Sequence, residues 1–119
     1  MKLSMPAIIF AIKNLKKEGL VFVNKTKALT KVKANMENKG FTRMKRLSNL
    51  ESIYTSGFVD YLLKELRPLA IICFGSYSRG EDFEKSDLDI AIIKGLQKNL
   101  EVGKFEKKLG EKYQYILLI

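Results

Sequence analysis

The sequence has no histidine and a single cysteine, Cys73. With no imidazole and one thiol, the usual zinc sites and every His-based triad are excluded. Any metal must be held by oxygen, which points to magnesium or manganese. A lone cysteine cannot form an intrachain disulfide. Its place in an apolar run reads as a buried thiol, so a reducing, cytoplasmic setting is expected. No apolar run approaches the roughly 18 residues that a membrane span needs. The longest, Leu69 to Gly75, suits a buried strand. The start, Met1-Lys2-Leu3-Ser4-Met5-Pro6, carries one charge ahead of a lysine-bearing helical pattern. It predicts no signal peptide and no membrane partner.

What is present is enough for one domain or two very small ones: 119 residues, 46% hydrophobic and 29% charged. That is a globular composition able to bury a core. Acidic residues are scarce in the first half. Residues 1–68 hold 14 Lys/Arg against 5 Asp/Glu and carry the whole net charge of +9, while residues 69–119 hold 8 against 8. Before Glu51 the only carboxylates are Glu18 and Glu37. A compact basic segment attracts phosphate backbones by counterion release, without sequence readout. The same composition also describes a lysine-rich solubilising surface.

Along the chain, Ile8, Ile12 and Leu15 recur at helical spacing, with Ala11 on the same face. Ser4 is a candidate cap, Pro6 suits the first turn, and Gly19 predicts a left-handed stop. Leu20 to Val23 and Ala28 to Ala34 read as two strands of a hairpin with a basic tip. Phe41 to Leu50 and Glu51 to Leu66 read as helical, the second with Ile53, Phe58, Leu62 and Leu66 among its apolar positions. Gly57 weakens this stretch and is a candidate break between two helices, and Pro68 stops it. Leu69 to Phe74 is apolar throughout, which predicts a strand buried on both faces. Gly75 to Ser86 reads as a polar loop with room for one helical turn, Asp87 to Lys94 as a strand, Asn99 to Leu109 as an amphipathic helix, and Tyr113 to Ile119 as a last strand. The composition shift divides the chain into residues 1–50 and 51–119.

The chemistry concentrates between Ile72 and Ile93. An apolar strand runs into Gly75-Ser76, and ten residues later Asp87-Leu88-Asp89 opens a second apolar strand. A glycine there lets backbone approach a phosphate, and the Ser76 hydroxyl with nearby N–H groups can bind its oxygens. Asp87 and Asp89 are two apart on a strand, so both carboxylates project from one face. Such a pair can hold Mg²⁺ between the phosphates of a nucleoside triphosphate. Either half alone is an ordinary turn or cap. Together, each beside an apolar strand, they point to a site, because carboxylates among Leu, Ile and Ala are costly unless paired or bound to a cation.

This segment resembles the minimal nucleotidyltransferases of the DNA polymerase beta-like superfamily, whose signature is an apolar strand, Gly-Ser, about ten residues, then Asp-x-Asp. Ser78-Arg79-Gly80 resembles the family's small-Arg-Gly. The resemblance covers roughly Leu66 to Ile119. It implies an α+β fold, with a small mixed sheet carrying helices on one face. It also implies transfer of a nucleoside monophosphate from ATP or another triphosphate, with Mg²⁺ or Mn²⁺. By it Asp87 and Asp89 are catalytic metal ligands, Gly75 and Ser76 hold the phosphates, and Arg79 contacts one. The family's third carboxylate is missing: Gln114 falls at about its position, and no Asp or Glu follows Glu111.

The first 50 residues resemble part of a winged helix-turn-helix, a recognition helix followed by a wing. Archaeal fusions of such a segment to a minimal nucleotidyltransferase look similar in order. By that resemblance Lys13, Lys16 and Lys17 on the helix, and Lys25 and Lys27 at the wing tip, contact duplex DNA. Three functions stay open: an active nucleotidyltransferase with an unnamed acceptor, a DNA-binding regulator with a catalytically degenerate domain, and an antitoxin acting on a helical, nuclease-like toxin. Two expectations account for the missing leading helices of such a unit: a truncated chain, or a homodimer that completes it.

Overall fold

The computed structural model describes residues 2–110 and 114–119. The chain divides into two compact units, Met1–Thr42 and Arg43–Ile119. The division falls within a helix, where the charge pattern had put it at residue 50.

In the first unit, helix α1 (Met5–Lys17) is capped by Ser4, whose Oγ accepts the Ala7 N–H at 3.3 Å, with Pro6 in the first turn. Gly19 turns the chain out of the helix at φ 74°, the left-handed stop that glycine adopts at least cost. Strands β1 (Val21–Lys25) and β2 (Thr30–Ala34) pair antiparallel. Thr26 closes the tip: its N–H and its hydroxyl both donate to the Leu29 carbonyl at 2.9 Å. Lys27 is therefore at the tip, while Lys25 is the last residue of β1. Helix and hairpin occur in the expected order. That pairing is common to many folds and does not by itself make a winged helix.

The second unit is built on α2 (Lys39–Thr55), α3 (Phe58–Leu66), β3 (Ala70–Phe74), α4 (Gly75–Arg79), β4 (Leu88–Ile93), α5 (Gly103–Glu106) and β5 (Gln114–Leu118). The sheet order is β3-β4-β5, with β3 antiparallel and β5 parallel to the central β4. This is the mixed sheet expected. Phe58, Leu62 and Leu66 recur every four residues on α3, and all three are fully buried. They pack with Ile53 of α2, Phe105 of α5 and the alternate β4 residues Leu88, Ile90 and Ile92. The helices thus cover one face of the sheet.

Three expectations need correction. The two helical stretches expected to meet at residues 50 and 51 are one helix, α2, while Gly57, at φ 84°, does separate α2 from α3 as expected. β3 is not buried on both faces: Ile72 is 48% and Phe74 42% exposed. The continuous-apolar rule describes strands inside covered sheets, and β3 is an edge strand with helices on one face only. The helix expected from Asn99 to Leu109 shrinks to α5. The residues ahead of it are tied to α3: the Glu101 N–H donates to the Tyr61 hydroxyl at 2.8 Å.

Candidate active site

Strand alternation orients the site. Leu88, Ile90 and Ile92 face the core, so Asp89 and the residue just before the strand, Asp87, occupy the alternate positions and are half-buried. The register pairs Asp89 with Phe74, the last residue of β3. The next residue is Gly75, at φ 78°. A Cβ at Gly75 would overlap Oδ2 of Asp89. Two independent constraints therefore demand glycine here: a left-handed backbone and the carboxylate directly above it. The Gly-Ser turn and the Asp-x-Asp strand, separated by ten residues in sequence, meet at van der Waals distance.

The turn itself is α4. The Ser78 hydroxyl donates to the Gly75 carbonyl at 2.8 Å, and the Glu81 N–H closes on the Ser76 carbonyl at 3.0 Å. Helix α2 braces it from behind. Asn49 donates from Nδ2 to the Tyr77 carbonyl at 2.9 Å and to Oδ1 of Asp82 at 2.7 Å. The Tyr77 hydroxyl returns a hydrogen bond to the Asn49 carbonyl at 3.2 Å. The Lys45 ammonium donates to the Asp82 carbonyl and lies 3.4 Å from its carboxylate. Asp82 and Tyr77 are both buried, so these bonds act at low effective dielectric. The sequence reading passed over Lys45, Asn49, Tyr77 and Asp82. The one available signal was a carboxylate in a Gly-flanked loop, which by itself is unremarkable.

The profile of the family described as polymerase beta, nucleotidyltransferase, matches residues 58–117. The chain belongs to this family. No curated protein and no solved structure gives a match. Membership agrees with the resemblance read from Gly75-Ser76 and Asp87-Leu88-Asp89.

In this nucleotidyltransferase-family chain, Asp87 and Asp89 offer hard oxygen donors. No hydrogen bond or ion pair to either is found among the described residues. The donor set fits Mg²⁺ or Mn²⁺, which keep several waters and take further oxygens from phosphates. Among the described residues no third His, Cys, Asp or Glu joins the pair. The expected third position is now set by register. Leu88 pairs with Gln114, and Asp89 with Tyr115. The β5 position beside Asp89 is thus 115 and not 114. Neither is acidic, and Glu111, the last acidic residue in the sequence, lies outside the described residues.

Arg79 is exposed, and its Nε donates to the Glu81 carboxylate at 3.0 Å. It stands at the end of α4, one helical turn beyond Ser76. Lys13, Lys16, Lys17, Lys25 and Lys27 are all exposed. They do not form one polar face: Lys13, Lys16 and Lys25 line an apolar cleft between α1 and the hairpin.

Burial pushes the Cys73 thiol up to about 11, with the Asp89 charge adding to it. Burial likewise raises the Tyr77 phenol to about 12, reinforced by Asp82. Both groups are neutral when protonated, so the folded state holds these protons more tightly than the unfolded chain, whose ordinary values are 9.0 and 10.0. Their contribution is fully present below about pH 9 and is lost as pH rises through about 11 and 12. We expect the melting temperature to be flat across neutral pH, as far as these groups set it, and to fall steadily above pH 9. Calorimetry across that range checks this. A thermal midpoint unchanged between pH 9 and 11 would show that neither group is shielded.

Proposed function

We propose that this chain binds a nucleoside triphosphate with a divalent cation at the Gly75-Ser76 turn and the Asp87–Asp89 pair, and transfers a nucleoside monophosphate to an acceptor. The observation that carries this reading is the contact between Gly75 and Asp89. It puts a phosphate-accepting turn against a carboxylate that no described side chain neutralises. Backbone N–H groups and the Ser76 hydroxyl would bind the terminal phosphates. Asp87 and Asp89 would hold the cation, which when bound supplies charge neutralisation at the α-phosphate and the leaving group. In the transfer, an acceptor oxygen bonds to the α-phosphorus. The bond from that phosphorus to the bridging oxygen breaks, and pyrophosphate leaves with the electron pair. The acceptor's proton passes to solvent or to a base.

A second reading is favoured by the β5 register. With Tyr115 and not a carboxylate beside Asp89, the chain would bind nucleotide and turn it over slowly or not at all. Two measurements separate the readings. Titration calorimetry should show ATP–Mg²⁺ binding that weakens at least tenfold in Asp87→Asn and in Gly75→Ala, the latter because its new methyl displaces Asp89. Equal affinity in all three proteins would remove the site altogether. Incubation with labelled ATP, Mg²⁺ and cell lysate should then give a labelled acceptor. Binding without labelling selects the second reading.

A further inference from the structure

The N-terminal unit is short of core. Among its described residues only Leu20 is buried, and α1 contributes none. An amphipathic helix normally covers its apolar stripe. Here Met5, Ile8, Ile9 and Ile12 on α1 face Val23 and Val32 of the hairpin across an open cleft of about 470 Å³. An apolar concavity of that size on a small unit marks an interaction site.

The rim narrows the choice of occupant. Lys13 and Lys16 from α1 and Lys25 from β1 border the apolar floor, and no carboxylate lines the cleft. The only acidic residues of the unit, Glu18 and Glu37, lie elsewhere. An apolar floor between cationic walls complements an apolar stripe between anionic flanks. Duplex DNA would satisfy the lysines but would leave hydrated phosphates over the isoleucines. A second copy of this chain would bring two lysine rims together within a Debye length of about 8–10 Å. An anionic bilayer matches both features chemically, but its plane leaves a concave floor unfilled.

We propose that this cleft receives an acidic amphipathic helix from another protein, seated with its Leu, Ile or Met stripe on the floor and its Asp or Glu flanks against Lys13, Lys16 and Lys25. This is the helix-in-groove mode, where apolar anchors at i, i+3/i+4 and i+7 give affinity and flanking charge gives choice of partner. The inference rests on the N-terminal unit alone and is independent of the nucleotide reading.

The probe is a four-turn synthetic helix with a leucine stripe and glutamate flanks, fluorescently labelled and titrated with the full chain. Its control carries the same leucines with lysine flanks. The glutamate peptide should bind at least tenfold more tightly than the lysine peptide. Ile9→Ser should weaken it through the floor. Lys13→Glu with Lys16→Glu should weaken it through the rim and reverse the preference. The rim variant changes only exposed side chains, so it keeps the test valid if Ile9→Ser fails to fold, as judged by circular dichroism. Failure of both peptides to bind, or equal binding of the two, overturns the proposal. So does short duplex DNA binding that Ile9→Ser leaves intact while displacing the peptide. Sedimentation showing a dimer that Ile9→Ser dissolves would assign the cleft to a second copy. Tighter binding to phosphatidylglycerol-containing vesicles than to the peptide would assign it to a membrane surface.

Discussion

Replacing Asp82 by alanine should destabilise the second unit by about 3 kcal/mol, near the lower end of what removing one partner of a buried ion pair costs. Asp82 is 5% exposed at its side chain, whereas Lys45 keeps 26%, so the stranded ammonium recovers part of its hydration. The loss also leaves Asn49 Nδ2 without its 2.7 Å acceptor. For a unit of this size the melting temperature should fall by more than about 10 °C. Asp82→Asn keeps an acceptor for Asn49 but no charge for Lys45, so its effect should be intermediate. Adding Lys45→Met to the alanine variant should restore part of the stability, because the unpaired charge is then gone. Denaturant unfolding of the four proteins measures all of this. A single-alanine loss under about 0.5 kcal/mol, the range of ordinary surface substitutions, would show that the brace does not carry the turn. The functional consequence should follow in parallel. With α4 released from α2, ATP–Mg²⁺ affinity should drop although no residue at Gly75, Ser76, Asp87 or Asp89 has changed.

The second large effect is a gain. Tyr115→Asp should raise nucleotidyl transfer by about a hundredfold or more, the scale of a positioned general base, while Gln114→Asp should not. The reason is the parity of β5. Position 115 pairs with Asp89, whereas position 114 pairs with Leu88, which is fully buried on the core side. A carboxylate introduced at 114 would stand in register with Leu88 and not with Asp89. Initial rates of labelled monophosphate transfer for wild type and both variants decide it. Activation by the 114 variant would mean that β5 slips by one residue, which exchanges the faces of the whole strand. A wild-type rate already as high as that of the 115 variant would mean that another group takes the proton.

The candidate site was readable in the sequence because its parts are local. Gly75-Ser76 and Asp87-Leu88-Asp89 each mark the end of an apolar strand, and strand period alone puts both carboxylates on one side. The stripe Phe58, Leu62, Leu66 was readable for the same reason: helical period places it on one face before any partner is known. The left-handed stop at Gly19 follows from a single residue type. In each case the physics acts over a few residues, and pattern carries it.

Only tertiary structure decided the rest. An apolar run such as Leu69 to Phe74 does not say whether a second layer covers it, and β3 became an edge strand with Ile72 and Phe74 in the open. The brace joins residues 28 to 37 positions apart, and no periodicity links Lys45 or Asn49 to Asp82. The Asn99 to Leu109 stretch is helical only over α5, and its Glu101 N–H meets a hydroxyl 40 residues earlier in the chain. The lysines of the first half are a plain charge excess in the sequence, whereas the fold sets three of them around an apolar cleft. Local propensity and period are written along the chain. Which face is covered, which polar groups pair and which charges share a surface depend on segments meeting through space, and that is settled only when the chain packs.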